Sequence, residues 1–162
     1  MKPTGRLFRR LKDSTGATLL EAAIVTPLLL LLTFSIADFG SLFYVYLALE
    51  NGVSQATRYA VTGNLMNDPA NPGSKLSRPD SIKAAMRSAT PTLSIPDGAF
   101  SFQHFPRGGT AWLNGTGGPD EIEKVTINYN WTLLTPLLRP FFTGGKLKFS
   151  VESTMKNEGR FQ

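Results

Sequence analysis

Few side chains in this sequence are equipped for chemistry, and they lie far apart. His104 is the single histidine among 162 residues, and cysteine is absent. One imidazole cannot build a His-rich metal site or a pair of general bases. Without thiols there are no disulfides, thiolate–zinc centres or cysteine nucleophiles. Set between Phe102 and Phe105, His104 reads as a strand or loop residue. Asp120, Glu121 and Glu123 cluster beside a glycine-rich turn but lack EF-hand spacing, and they read as a solvated loop rather than a calcium site. The GTGG run at 115–118 is not followed by the Lys-Ser/Thr of a P-loop. The expectation is a protein that is not an enzyme, with no catalytic residue, metal ligand, cofactor or small-molecule substrate.

Charge points elsewhere. The formal net charge is +5, from 17 Lys and Arg against 12 Asp and Glu. Lys2, Arg6, Arg9, Arg10 and Lys12 stand in the first twelve residues, opposed nearby only by Asp13. From residue 14 onward 12 basic residues face 11 acidic ones, so the body is nearly neutral. That excludes nucleic acid as a partner, since a binding domain needs cations gathered on a folded face. A basic segment directly before an apolar run points to a membrane.

The apolar run is AAIVTPLLLLLTFSIA at 22–37, interrupted by Asp38 and resumed by FGSLFYVYLAL at 39–49. A spanning helix needs about 20 apolar residues. Carried through Asp38, residues 22–45 would form about 36 Å of helix at 1.5 Å per residue, with Phe43, Tyr44 and Tyr46 at the far interface. The leading cations set the N-terminus in the cytoplasm and the body outside, in the periplasm of a two-membrane cell. A charge at the bilayer centre costs about 2.5–3.5 kcal/mol, so Glu21 and Asp38 read as boundary residues. Pro27 removes one helical hydrogen bond, which neighbouring helices can re-satisfy in a membrane, and reads as a tolerated kink.

Glu21 has a sharper reading. A basic leader, Gly16, the uncharged Ala17-Thr18-Leu19-Leu20 and then Glu21 opening an apolar helix is similar to the arrangement of type IV prepilin-like proteins. The resemblance implies cleavage between Gly16 and Ala17 by a prepilin peptidase, where a side chain at 16 would obstruct approach to the backbone. Glu21 would then pair with the new amino terminus of a neighbouring subunit, removing an unpaired charge from the apolar bundle. More closely, residues 16–40, GATLLEAAIVTPLLLLLTFSIADFG, resemble the N-terminal signature of TadE-like pseudopilins of the tight-adherence (Flp) pilus. Glu21, Pro27, Asp38, Phe39 and Gly40 fall at that family's places. Ser54-Gln55-Ala56-Thr57-Arg58-Tyr59-Ala60 is similar to its Arg-Tyr-Ala helix end, and Met155-Lys156-Asn157-Glu158 to its basic-Asn-Glu ending. Ala22 stands where the family often has an aromatic residue.

Beyond Asp38 the helix is expected to continue. Phe39, Leu42, Tyr46, Leu49, Val53, Ala56 and Ala60 recur at alternating spacings of three and four, forming one stripe that Glu50, Asn51, Gln55 and Arg58 avoid. This helix packing seam serves either the chain's own C-terminal part or other pilin-like helices. Gly63-Asn64 is a stop signal, residues 63–76 read as a loop, and Ser77-Arg78-Pro79-Asp80 reads as a capping box opening a helix that ends before Pro91. Period-2 alternation follows in Phe100/Phe102, in Val125 through Leu133 and in Leu147/Phe149/Val151, predicting a half-buried antiparallel sheet. Asn114-Gly115 is a candidate hairpin turn.

The expected fold is α+β: a long N-terminal membrane and amphipathic helix packed on a small antiparallel-sheet head, a pilin-like lollipop. The organisation is a leader at 1–16, a helix at 17–62 and an extracytoplasmic head at 63–162. With the resemblance, this implies a minor subunit in assembly of a tight-adherence pilus. It would sit as a single-pass protein in the bacterial inner membrane, with the filament a second destination. Its partners would be the prepilin peptidase, other pilin-like subunits and platform proteins, with adhesion and biofilm formation as consequences. The alternatives are an uncleaved single-span binding module and, ranked below it, a secreted protein cut after Ser35-Ile36-Ala37.

Overall fold

The computed structural model describes residues 14–136 and 138–161. The leader cations Lys2 to Lys12 and Asp13 lie outside the described residues. Helix α1 runs from Ser14 to Val61 and continues through Pro27 without a break. It stops where Gly63 takes φ 67° and donates its N–H to the Ala60 carbonyl at 3.1 Å. A left-handed residue satisfies a terminal carbonyl there, and glycine carries no Cβ penalty in that conformation.

Helix α2, Arg78–Ala89, opens as its sequence signals require. The Ser77 hydroxyl accepts from the Asp80 N–H, and Pro79 sits in the first turn. Four antiparallel strands follow: β1 Phe100–Phe105, β2 Leu113–Asn114, β3 Ile122–Thr132 and β4 Lys146–Lys156, in the order β2-β1-β3-β4. Period 2 sets the register, pairing Phe102 with Val125, Ile127 with Val151 and Trp131 with Leu147. A slip of one residue would turn each of these side chains to solvent.

Asn114-Gly115 is not the hairpin turn. Leu113 and Asn114 pair with His104 and Gln103, and Gly115 donates to the Phe102 carbonyl, so the pair lies at the far end of edge strand β2. The β1–β2 connection is instead made by residues 106–112, where Gly108 supplies the positive φ.

The core lies between one face of the sheet and the two helices. Val125, Ile127, Trp131, Leu133 and Val151 meet Val45, Leu49, Val53, Ala56 and Ala60 of α1, with Ile82 and Met86 of α2 completing the cluster. Helix α2 returns along α1 in the opposite direction. Arg78, at its start, bonds the Ala60 carbonyl, while Met86 and Thr90, at its end, close over Gly52. Gly52 is what permits that approach, because a Cβ there would lie 2.5 Å from Thr90 Cγ2 and 2.9 Å from Met86 Sδ.

Overpacking at such a contact costs about 1–3 kcal/mol. Gly52→Val should therefore lower the unfolding midpoint of the detergent-solubilised chain in a urea titration. Gly40→Val, at a helical glycine with open space around it, should show no such loss.

Candidate membrane and assembly site

The lower part of α1 carries the membrane signal. No residue from Gly16 to Ala37 is buried, and the most apolar stretch of the helix has a mean hydropathy of 2.2. Residues 17–37 extend about 31 Å at 1.5 Å per residue, close to the roughly 30 Å of a hydrocarbon core. Thr33 and Ser35 return their hydroxyl protons to the Leu29 and Leu31 carbonyls at 2.8 and 2.7 Å, so neither presents a bare hydroxyl to lipid. This helix is compatible with a single-pass anchor. Gly16, Ala17 and Glu21 are exposed at its start, and the Glu21 carboxylate has no hydrogen-bond or ion-pair partner among the described residues.

Asp38 ends the bare segment. Its carboxylate is buried and accepts the Leu134 N–H at 2.7 Å and the Thr135 N–H at 3.2 and 3.3 Å. These amides follow the last residue of β3, so the head reaches down the helix as far as Asp38. The free apolar segment therefore closes at Ala37, not at residue 45 as the hydropathy run suggests, because Val45 is covered by the head. Phe43 and Tyr44, expected at the far interface, are exposed at the base of the head, where the Tyr44 hydroxyl lies 3.5 Å from Thr92 Oγ1.

The packing stripe divides at this base. Leu49, Val53, Ala56 and Ala60 are buried against the chain's own head, and Leu42 packs on the core's edge. Phe39 and Tyr46 remain exposed. With Leu42, Phe43, Leu147 and Phe149 they line an open groove of about 310 Å³, in which the Tyr46 and Phe149 rings stand 5.7 Å apart. Periodicity misses Val45, Gly52 and Thr57, which are also buried on this length of helix.

The opposite end of the head is closed by a buried ion pair. Glu123, expected in a solvated loop, instead occupies the inward face of β3 one step before Val125 and is fully buried. Its Oε2 accepts the Gly117 N–H at 2.7 Å and lies 3.3 Å from Arg78 Nη2. Arg78 also donates to the Ala60 carbonyl at 3.0 Å and to the Gly117 carbonyl, and its guanidinium stacks 4.3 Å from the Phe161 ring centre. Nearby, Asn157 donates to the Gly118 carbonyl at 2.8 Å and Glu158 donates its N–H to the Val61 carbonyl at 3.1 Å.

The other two acidic residues of the cluster face different partners. Glu121 accepts the Gly118 N–H at 2.6 Å and lies 3.9 Å from His104 Nε2, whereas Asp120 faces Lys156 at 3.3 Å and Arg107 at 3.8 Å. The three carboxylates thus do not converge on one point. Among the described residues no group of three His, Asp or Glu side chains is arranged to hold a metal.

The family model described as TadE-like protein matches residues 16–58. The matched segment comprises the bare helix, Asp38 and most of the stripe, and it ends before the sheet begins. No curated protein and no solved structure matches the chain. The match covers 43 of the 162 residues and likens this part of the chain to TadE-like proteins.

Burial raises the Glu123 pKa above the ordinary carboxylate value, against the lowering pull of the Gly117 N–H and Arg78. Between the unfolded and folded values the folded chain holds a proton that the unfolded chain has released. Stability from this site is complete below the unfolded pKa and declines as pH rises through the folded one. Removing the cation should exaggerate the trend. Arg78→Met leaves a buried carboxylate unpaired, a loss of about 3–5 kcal/mol once Glu123 is ionised. In urea titrations the deficit should grow as pH rises through the folded pKa and shrink towards pH 4.5. Adding Glu123→Leu should restore much of it, whereas a deficit independent of pH would show that the carboxylate is not its source.

Proposed function

We propose that this chain is a minor pilin-like subunit acting in assembly of a tight-adherence pilus, processed after Gly16 by a prepilin peptidase. One observation supports this above all: the TadE-like segment is a bare apolar rod that opens on an exposed Gly16, Ala17 and Glu21 and ends where the head grips Asp38. A rod with no internal partner needs an apolar environment along its whole length, which a bilayer and a bundle of like helices both supply.

On this reading the N-terminus faces the cytoplasm and the head lies outside the inner membrane. After cleavage the amino group of Ala17 carries a positive charge four residues before Glu21. Neither charge is comfortable in an apolar bundle alone, and pairing across subunits removes both. Phe39 and Tyr46 extend the rod's apolar contact onto the base of the head. The protein's role is structural, with no chemistry assigned to His104 or to the acidic residues of the head.

The intact mass and first residue of the chain isolated from native membranes test this directly. A start at Ala17 is expected, and Gly16→Leu should return a protein that keeps its leader. Glu21→Ala should reduce pilus assembly far more than membrane insertion, and an unchanged assembly would remove its pairing role. A wild-type chain beginning at Met1 would overturn processing and favour an uncleaved anchor, while one beginning at Asp38 would identify a secretory signal.

A further inference from the structure

The loop joining β3 to β4 has a composition and position that the subunit reading leaves unexplained. The strands close where Leu133 donates its N–H to the Gly145 carbonyl at 3.2 Å, so the described residues between them project beyond the end of the sheet. That end is the one fastened to Asp38, through Leu134 and Thr135. Because Asp38 follows the last residue of the bare apolar segment, the loop hangs at the level where that segment ends.

Its surface is apolar and cationic together. Phe141 is 76% exposed and Leu134 62% exposed, values that would be costly for large apolar side chains kept in water. Phe141 and Phe142 share a shallow groove with Leu147, and Lys146 and Lys148 rim it. Leu147 also lines the groove of Phe39 and Phe43, so the two grooves meet at this side chain. No Asp or Glu occurs from 124 to 151, a stretch that includes Arg139, Lys146 and Lys148. Among the described residues none of these three cations has a carboxylate partner.

Exposed aromatic and aliphatic side chains beside unpaired cations are what binds the boundary between lipid headgroups and acyl chains. Lysines flanking such a surface add attraction to anionic headgroups. We propose that the described part of the β3–β4 loop, with the first residues of β4, is a second membrane contact, lying on the outer leaflet with Phe141 and Leu134 inserted and Lys146 and Lys148 against anionic phosphates. The head is then held at two points, by its helix and by this loop, which fixes its orientation to the bilayer. This rests on the reading of residues 17–37 as a membrane span.

The cysteine-free sequence allows single nitroxide labels at Phe141→Cys, at Leu30→Cys within the span and at Thr110→Cys at the opposite end of the sheet. The full chain is placed in nanodiscs of phosphatidylcholine containing phosphatidylglycerol, and accessibility to oxygen and to a water-soluble nickel chelate is compared. The label at 141 should favour oxygen over nickel several-fold more than the label at 110, approaching the label at 30. Lys146→Glu with Lys148→Glu should shift the label at 141 towards the aqueous value, as should omission of phosphatidylglycerol.

A label at 141 as aqueous as that at 110, with the label at 30 in lipid, overturns the loop contact and leaves the span intact. An aqueous label at 30 overturns both. Spectral broadening at 141 that unlabelled chain relieves would show a second copy covering the loop and overturn the lipid assignment. If charge reversal has no effect, the role given to the lysines is lost.

Discussion

A buried carboxylate must find hydrogen-bond donors, and the way Asp38 does so divides this molecule in two. Its oxygens take the amides of Leu134 and Thr135, which leave the end of β3 and have no ladder partner of their own. Both sides of the contact would be costly unpaired: an anion out of water on the helix, and backbone donors at the end of a sheet. The head consequently cannot slide along α1. Above Asp38 the helix is an ordinary core element, alternating buried and exposed residues. Below it the helix has no polar face at all, apart from Glu21 near its start. One interaction across 96 residues of sequence separation thus sets how much helix is left for a membrane or for other subunits.

The upper end of the head is fixed by a different chemistry. Arg78 ties the start of α2 to the Ala60 carbonyl, to the turn at Gly117 and to Glu123 on β3, while Glu158 closes on Val61. The pair is desolvated, so its net contribution to stability is modest, but loss of either partner strands the other charge. With Asp38 below and Arg78–Glu123 above, the apolar contact of Leu49, Val53 and Ala56 between them is held at both ends. The residues resembling the family's C-terminal ending, Asn157 and Glu158, lie at this upper closure, which joins the chain's end to the helix that the family model matches.

Much of this architecture is legible in the sequence because local rules dominate it. The Ser77–Asp80 capping box, the stop at Gly63 and the period-2 runs of β3 and β4 each concern neighbours within a few residues, and each element forms where those signals lie. What escapes is what depends on distant partners. Asp38 reads as a boundary charge because its donors arrive from residues 134 and 135. Gly52 reads as an indifferent helix position because the need for a glycine is imposed by Thr90 and Met86. Glu123 is instructive in a different way: the alternation through Val125 and Ile127 already assigns it to the inward face, and only its charge argued for solvent. The signal that would have found it is parity, with Arg78 at the start of a capped helix as the partner to seek. Asn114-Gly115 failed for the converse reason, a strong dipeptide preference overridden by pairing of Leu113 and Asn114 with β1.

The bare segment finally bears on how a subunit of this design could leave a membrane at all. Lipid tails are as apolar as leucine, so moving residues 17–37 from bilayer to helix bundle changes the hydrophobic term little, and packing and polar contacts decide the direction. Leu28 to Leu32 can be satisfied equally in either environment. Glu21 cannot: in lipid it must reach for the headgroups, whereas in a bundle a neighbour's terminal amine can meet it. On the proposed reading the free energy that favours the assembled state is concentrated at Glu21 and Ala17. The base of the head opposes it, because Phe39, Phe43 and the β3–β4 loop lose their apolar surroundings on extraction unless a neighbouring subunit replaces them. Entry into an assembly then requires covering both places at once, which couples pairing inside the membrane to contact at its surface.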